Sequence, residues 1–89
     1  GTYKLPEGVA NKHRPMWLIE PPEKIHMHNG QLNWQGVLEI ISEPERIQTG
    51  WWQQACARDY YVARRDDQQS LWLYQDLHQQ SWYVHGVFG

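Results

Sequence analysis

The chain has 89 residues, with six tryptophans, five tyrosines, one cysteine and a formal net charge of −2. That length supports one domain, which buries roughly 60–65% of its unfolded surface and therefore needs a dense core. The charge excludes a broadly basic, phosphate-gripping surface. The lone Cys56 excludes an internal disulfide and a cysteine-based zinc site.

Residues 1–14 are polar and irregular, with Pro6, Gly8, Asn11 and Lys12, and are expected to form a flexible arm or linker. The opening residues lack the apolar centre of a signal peptide, and no run approaches the ~18 apolar residues of a membrane helix. Together with the single cysteine, this gives the expectation of a cytoplasmic protein with no membrane contact. Gly1 in place of methionine suggests a fragment of a longer protein whose natural beginning lies elsewhere.

Residues 15–89 are expected to form a single small β domain. Met16-Trp17-Leu18-Ile19 reads as a strand that Pro21-Pro22 ends, because neither proline donates a ladder hydrogen bond. Residues 24–28 and 31–34 flank Asn29-Gly30, the residue pair a type I′ hairpin turn needs for positive φ at both central positions. Val37-Leu38-Glu39-Ile40-Ile41 reads as a strand, residues 42–45 as a turn or bulge, and residues 46–49 as its resumption. A single helical turn fits residues 53–57, too short to stand alone.

Residues 58–64, 70–75 and 81–85 are three β-rich runs joined by short polar turns, the pattern of an antiparallel meander. No sustained helical periodicity occurs. The expected fold is all-β, a small antiparallel sheet or partly open barrel with a C-terminal three-stranded meander. Alternation puts Leu71 and Leu73 on one face and Trp72 and Tyr74 on the other, with Tyr60 and Val62 opposing Tyr61 and Ala63. Both faces are thus partly apolar. Either the sheet is covered on both sides or one side shows an aromatic patch to a partner.

No constellation supports catalysis. Asp66-Asp67 beside Arg64-Arg65 reads as a solvated turn, and no phosphate loop, nucleophile elbow or zinc-protease motif is present. His26 and His28 share a strand face, but a metal site needs a third ligand, such as His13 or Glu39, that nothing positions. No metal or cofactor is expected. The residues that invite a functional reading are aromatic. After Gly50, Trp51 and Trp52 face opposite ways in extended chain, so one can fill the core while the other faces outward. Arg58, Arg64 and Arg65, interleaved with Tyr60 and Tyr61, match the Trp, Tyr and Arg composition of interface hot spots. The same arginines could contact a single DNA strand stacked on these rings. The near-neutral charge favours protein recognition.

Taken in order, several elements resemble the C-terminal region of ImuB-type proteins, the Y-family DNA polymerase relatives of bacterial mutasomes. They are Arg14-Pro15-Met16-Trp17-Leu18 with Pro21-Pro22, then residues 43–52 (Glu-Pro-Glu-Arg-Ile-Gln-Thr-Gly-Trp-Trp), Arg58-Asp59-Tyr60-Tyr61-Val62-Ala63, Leu71-Trp72-Leu73-Tyr74 and residues 82–88. Gln53-Gln54 departs from the acidic and glycine pair the family often has after the double tryptophan. The resemblance implies a non-catalytic adaptor in damage-induced (SOS) translesion synthesis. Its partners would be an ImuA-type, RecA-like protein and an error-prone replicative-type DNA polymerase, with the sliding clamp engaged through upstream segments. On this reading Trp51, Trp52, Arg58, Tyr60, Tyr61, Trp72 and Tyr74 are the candidate partner-binding residues. The alternative is a small barrel that binds single-stranded or primer–template DNA through Arg58, Arg64 and Arg65.

Overall fold

Turn chemistry sets the strand boundaries. The computed structural model describes residues 1–4, 14–49 and 56–89, and these hold strands and no helix. In chain order the strands are β1 (Thr2–Lys4), β2 (Trp17–His28), β3 (Gln31–Asn33), β4 (Leu38–Ile40), β5 (Glu45–Thr49), β6 (Cys56–Arg65), β7 (Ser70–Asp76) and β8 (Trp82–Val87). Asn29 and Gly30 close the β2–β3 hairpin at φ 52° and 79°, with His28 opposite Gln31. The two meander turns share one device. Asp67 Oδ1 accepts the Gln69 N–H at 3.2 Å, and Asp76 Oδ1 accepts those of His78 and Gln79 at 2.9 and 3.1 Å. Gln68 and Gln80 then take the left-handed conformation, at φ 74° and 60°.

The all-β expectation holds. The sheet runs β1-β2-β8-β7-β6-β4 with every pairing antiparallel, while β3 pairs with β2 and β5 with β6. It curls into a nearly closed barrel. β3 returns toward β4 through the bridge Asn33–Val37 and the bond from Trp34 N–H to the Gly36 carbonyl, 3.0 Å. Beyond that bridge the two strands do not pair, so this seam stays unsealed.

Three details depart from the sequence expectations. Thr2–Lys4, expected to be part of an arm, forms β1 against residues 17–19. Pro21 and Pro22 do not end the strand, which continues through them to His28. In the β2–β8 ladder, Leu18 opposes Gly86 and Glu23 opposes Val84, so both prolines fall inside a bulge where no ladder donor is required. The Glu20–Pro21 peptide is cis. Of the helical turn expected at residues 53–57, Cys56 and Ala57 belong to β6 and the remainder lies outside the described residues.

β6 gives one edge wholly to β7 and divides the other between β5 (Glu45 opposite Tyr60) and β4 (Ile40 opposite Ala63). At the junction Ser42 Oγ accepts the Val62 N–H at 2.8 Å, and the Ile41 N–H donates to the Val62 carbonyl at 2.9 Å. A side chain thus replaces a missing ladder bond.

Alternation sorts the apolar residues into two layers. Ile19, Ile25, Leu32, Leu38, Ala63, Leu71, Leu73 and Val84 fill the barrel interior, with Trp34, Trp82 and Val87 packed against them. On the opposite face Tyr60, Trp72 and Tyr74 form a second layer with Leu18, Ile47, Tyr83 and Phe88. The sheet is therefore covered on both sides.

Candidate functional site

Cross-strand register builds the outer layer. Tyr60 opposes Tyr74, and Val62 opposes Trp72, so their side chains share one face. The Tyr60 and Trp72 rings stack at 4.1 Å between centroids, and Tyr74 stacks on Tyr83 at 5.1 Å. His85, standing alone opposite the β2 bulge, lies parallel to Trp72 at 5.2 Å. Cations cap the rings. Arg58 sits 4.2 Å over Tyr74, and Arg14 sits 5.4 Å over Trp72 while gripping Glu45 through two bonds of 2.6 and 3.0 Å.

A polar chain crosses this layer. The Arg58 guanidinium donates to the Tyr60 hydroxyl at 3.1 Å. Arg58 can only donate, so the hydroxyl accepts there, and the same oxygen shares a hydrogen bond with His85 Nδ1, 2.9 Å away. His85 Nε2 then faces Glu20 Oε1 at 2.9 Å. Tyr74 has its pKa pushed up to about 12, chiefly because burial disfavours the phenolate, with the nearby Arg58 charge opposing that rise.

The candidate partner-binding residues occupy different places in the fold. Tyr60, Trp72 and Tyr74 are 4%, 7% and 4% exposed, so their area is already used within the domain. Tyr60 and Trp72 do reach the floor of a cleft of about 420 Å³ beneath the turn at residues 42–45. Tyr61 lies on the other face, half-buried against Trp82 at 5.2 Å, where burial raises its pKa. Arg58 is half-buried. Trp51 and Trp52 lie outside the described residues.

The three arginines offered for DNA do not form one stripe. Arg65 is engaged by Asp67 through two 2.9 Å bonds and lies 5.6 Å from the Trp34 ring centroid. Arg58 serves Tyr60 and Tyr74, and Arg64 is exposed on β6 opposite Glu39. Arg46, too, is held by Asp59 at 2.7 and 3.0 Å. That guanidinium, by hydrogen bonding first, lowers the pKa of the Asp59 carboxyl against the opposing effect of burial. His26 and His28 are exposed on β2, and among the described residues no three His, Cys, Asp or Glu side chains gather to hold a metal.

The sequence reading missed the surface the open seam creates. Val37, Ile40 and Ile41 are 38%, 37% and 42% exposed. Ile40 shares the inward face of β4 with Leu38, which is 5% exposed, yet no strand among the described residues covers it. A signal was present in the five-residue run 37–41, four of them apolar. Such a run suits a strand covered on both faces and both edges, and β4 lacks the second edge.

The chain matches no family model, no curated protein and no solved structure. No helix among the described residues is long and apolar enough to cross a membrane.

Proposed function

We propose that the chain is a non-catalytic protein-interaction module of a translesion-synthesis adaptor, the role implied by its resemblance to the C-terminal region of ImuB-type proteins. The observation that carries the interaction reading is the exposed apolar strip of Val37, Ile40 and Ile41 along the open seam. An exposed apolar strip beside an unsealed sheet edge suits a protein partner. The arginines support the same preference. Salt-bridge partners or aromatic rings already hold Arg14, Arg46, Arg58 and Arg65. A phosphate backbone would have to displace those partners, on a chain whose formal charge is already −2.

The partners this reading names are the ImuA-type, RecA-like protein and the error-prone replicative-type polymerase. Titration of the domain against each purified protein and against a labelled single strand, at low and moderate salt, tests it. Binding to one of the proteins, with little dependence on salt, is the expected result. Binding to DNA alone, fading steeply as salt rises, would transfer the function to lesion positioning. Absence of binding to either protein, with damage-induced mutagenesis intact after deletion of the domain, would sink the adaptor reading.

A further inference from the structure

Among the described residues the edges of β1 and β5 are open, and so are the two sides of the seam, β3 and β4. Exposed sheet edges recruit strands unless charge or shape blunts them. β5 is blunted, because its residues are Glu45, Arg46, Ile47, Gln48 and Thr49, and its three charged or amide side chains are exposed. β4 carries one exposed charge, Glu39, set among apolar residues. Its apolar residues Ile40 and Ile41 stand exposed on opposite faces of the edge, and Val37 shares the outer face with Ile41.

The hydrogen bonds show which backbone groups the seam leaves available. Asp66 N–H donates to the Val37 carbonyl at 3.1 Å, and Ile41 N–H donates to the Val62 carbonyl at 2.9 Å. With Glu39 opposite Arg64, the groups of residues 37, 39 and 41 face β6. Those of Leu38 and Ile40 therefore point the other way, into the seam. Past the Asn33–Val37 bridge no strand among the described residues meets Ile40 on this side.

We propose that this edge, residues 38–42, docks an extended segment of a partner protein, which adds as a strand and seals the barrel. The proposal rests on the interaction reading and locates its surface. Period-two geometry fixes the character of the segment. On the inner face its side chain meets Ile40 and the rim of the aliphatic core, which calls for an apolar residue. On the outer face it meets Glu39, which stands between Val37 and Ile41, and opposite charges on neighbouring strands attract. Glu43, exposed one residue past the end of the edge, adds a second carboxylate. The segment therefore alternates apolar and basic residues. A second copy of the chain fits less well, since its edge would bring only further carboxylates, Glu39 and Glu43, and no basic side chain to the outer face.

The experiment uses the 89-residue chain and a short capped peptide of alternating valine and lysine, with a valine–glutamate peptide of the same length beside it. Amide hydrogen exchange and backbone chemical shifts should locate the lysine peptide at residues 38–42, with the Ile40 amide newly protected. Ile40→Pro removes a seam-facing N–H without touching the β6 ladder, and should weaken the peptide by about tenfold or more. Should that variant unfold, Glu39→Lys asks the same question on the outer face and should reverse the preference between the two peptides. Perturbations elsewhere, equal binding of both peptides, or an unaltered affinity in a folded Ile40→Pro would overturn the proposal. So would protection of Ile40 in a self-associated form without peptide, which would assign the edge to a second copy. None of these readouts requires a mutasome protein. The edge can thus stand if the adaptor reading fails, and the adaptor reading can stand if the edge is silent.

Discussion

Inside the barrel, Ala63, Leu71, Leu73 and Val84 are 0% exposed and bring no polar side-chain atom. Across the same strands Tyr60, Trp72 and Tyr74 are nearly as buried, but they carry hydroxyl and indole groups and lie under Arg14 and Arg58. The inner layer excludes water by enclosure. The outer layer does so by stacking rings and covering them with the guanidinium groups of Arg14 and Arg58. Each layer should therefore fail differently: the inner through volume, the outer through hydrogen bonds, charge and pH.

The largest expected effect lies inside. Leu73→Ala should cost about 2–5 kcal/mol, because a fully enclosed methyl-bearing chain leaves a cavity its neighbours fill only in part. Urea unfolding should show a lower midpoint with an unchanged slope, and Leu73→Met should recover most of the loss. An Ala variant costing under about 1 kcal/mol would mean the barrel collapses readily, and that the outer layer carries more of the stability than enclosure suggests.

Tyr60→Phe is the matching test outside. It keeps the ring on Trp72 and deletes the oxygen between Arg58 and His85. The expected loss is about 1–2 kcal/mol, since buried partners stripped of a hydrogen bond retain their desolvation cost. Combined with Leu73→Ala, the two losses should add only approximately, as the residues sit on paired strands. Strict additivity would show that the layers do not communicate through the sheet.

How far each layer could be read from sequence follows from the range of the interactions that build it. The Asn29-Gly30 hairpin and the β6–β7–β8 meander are local, and turn residues with period-two alternation reveal them directly. Alternation also separated Leu71 and Leu73 from Trp72 and Tyr74, and left open whether the aromatic face was covered. What covers it comes from far along the chain: Arg14, Ile47 and Phe88 reach it from three separate segments. Spacing along the chain carries no trace of such meetings. Pro21-Pro22 misled for a related reason. A proline stops a strand only where its missing N–H is wanted, and the bulge opposite His85 depends on strand β8. The open seam likewise depends on how β3 and β4 diverge after one bridge.

The layers should also part company in alkali. Tyr74 ionises near pH 12 in the folded protein and near ~10 when unfolded. Its folded pKa is the higher, so the stability it contributes is intact below about pH 10 and is lost as pH rises toward the folded value. Stability measured from pH 9 to 12 should fall over that window, and Tyr74→Phe should flatten the fall. An equally steep decline in Tyr74→Phe would place the alkaline sensitivity elsewhere. At the acid end the sign reverses. Arg46 depresses the Asp59 pKa, so stability is present above the ordinary carboxylate range and lost as pH drops through the folded value.

The smallest effect expected is that of the clasp between Arg14 and Glu45. Its geometry is favourable, with two short bonds and a ring beneath, yet the two side chains are 30% and 49% exposed. Water and salt screen such a pair, and ordering two long side chains offsets much of the attraction. Arg14→Gln should therefore cost about 0.2–1 kcal/mol, less in high salt, with a double-mutant cycle against Glu45→Gln isolating the pairwise part. The more telling readout is local. Arg14 ties the segment before β2 to the start of β5 across Trp72, so its loss should speed hydrogen exchange in β5 while leaving Leu73 and Val84 protected. Equal acceleration in both places would mean that the outer layer opens only when the barrel does. The clasp would then join the two cores into one cooperative unit.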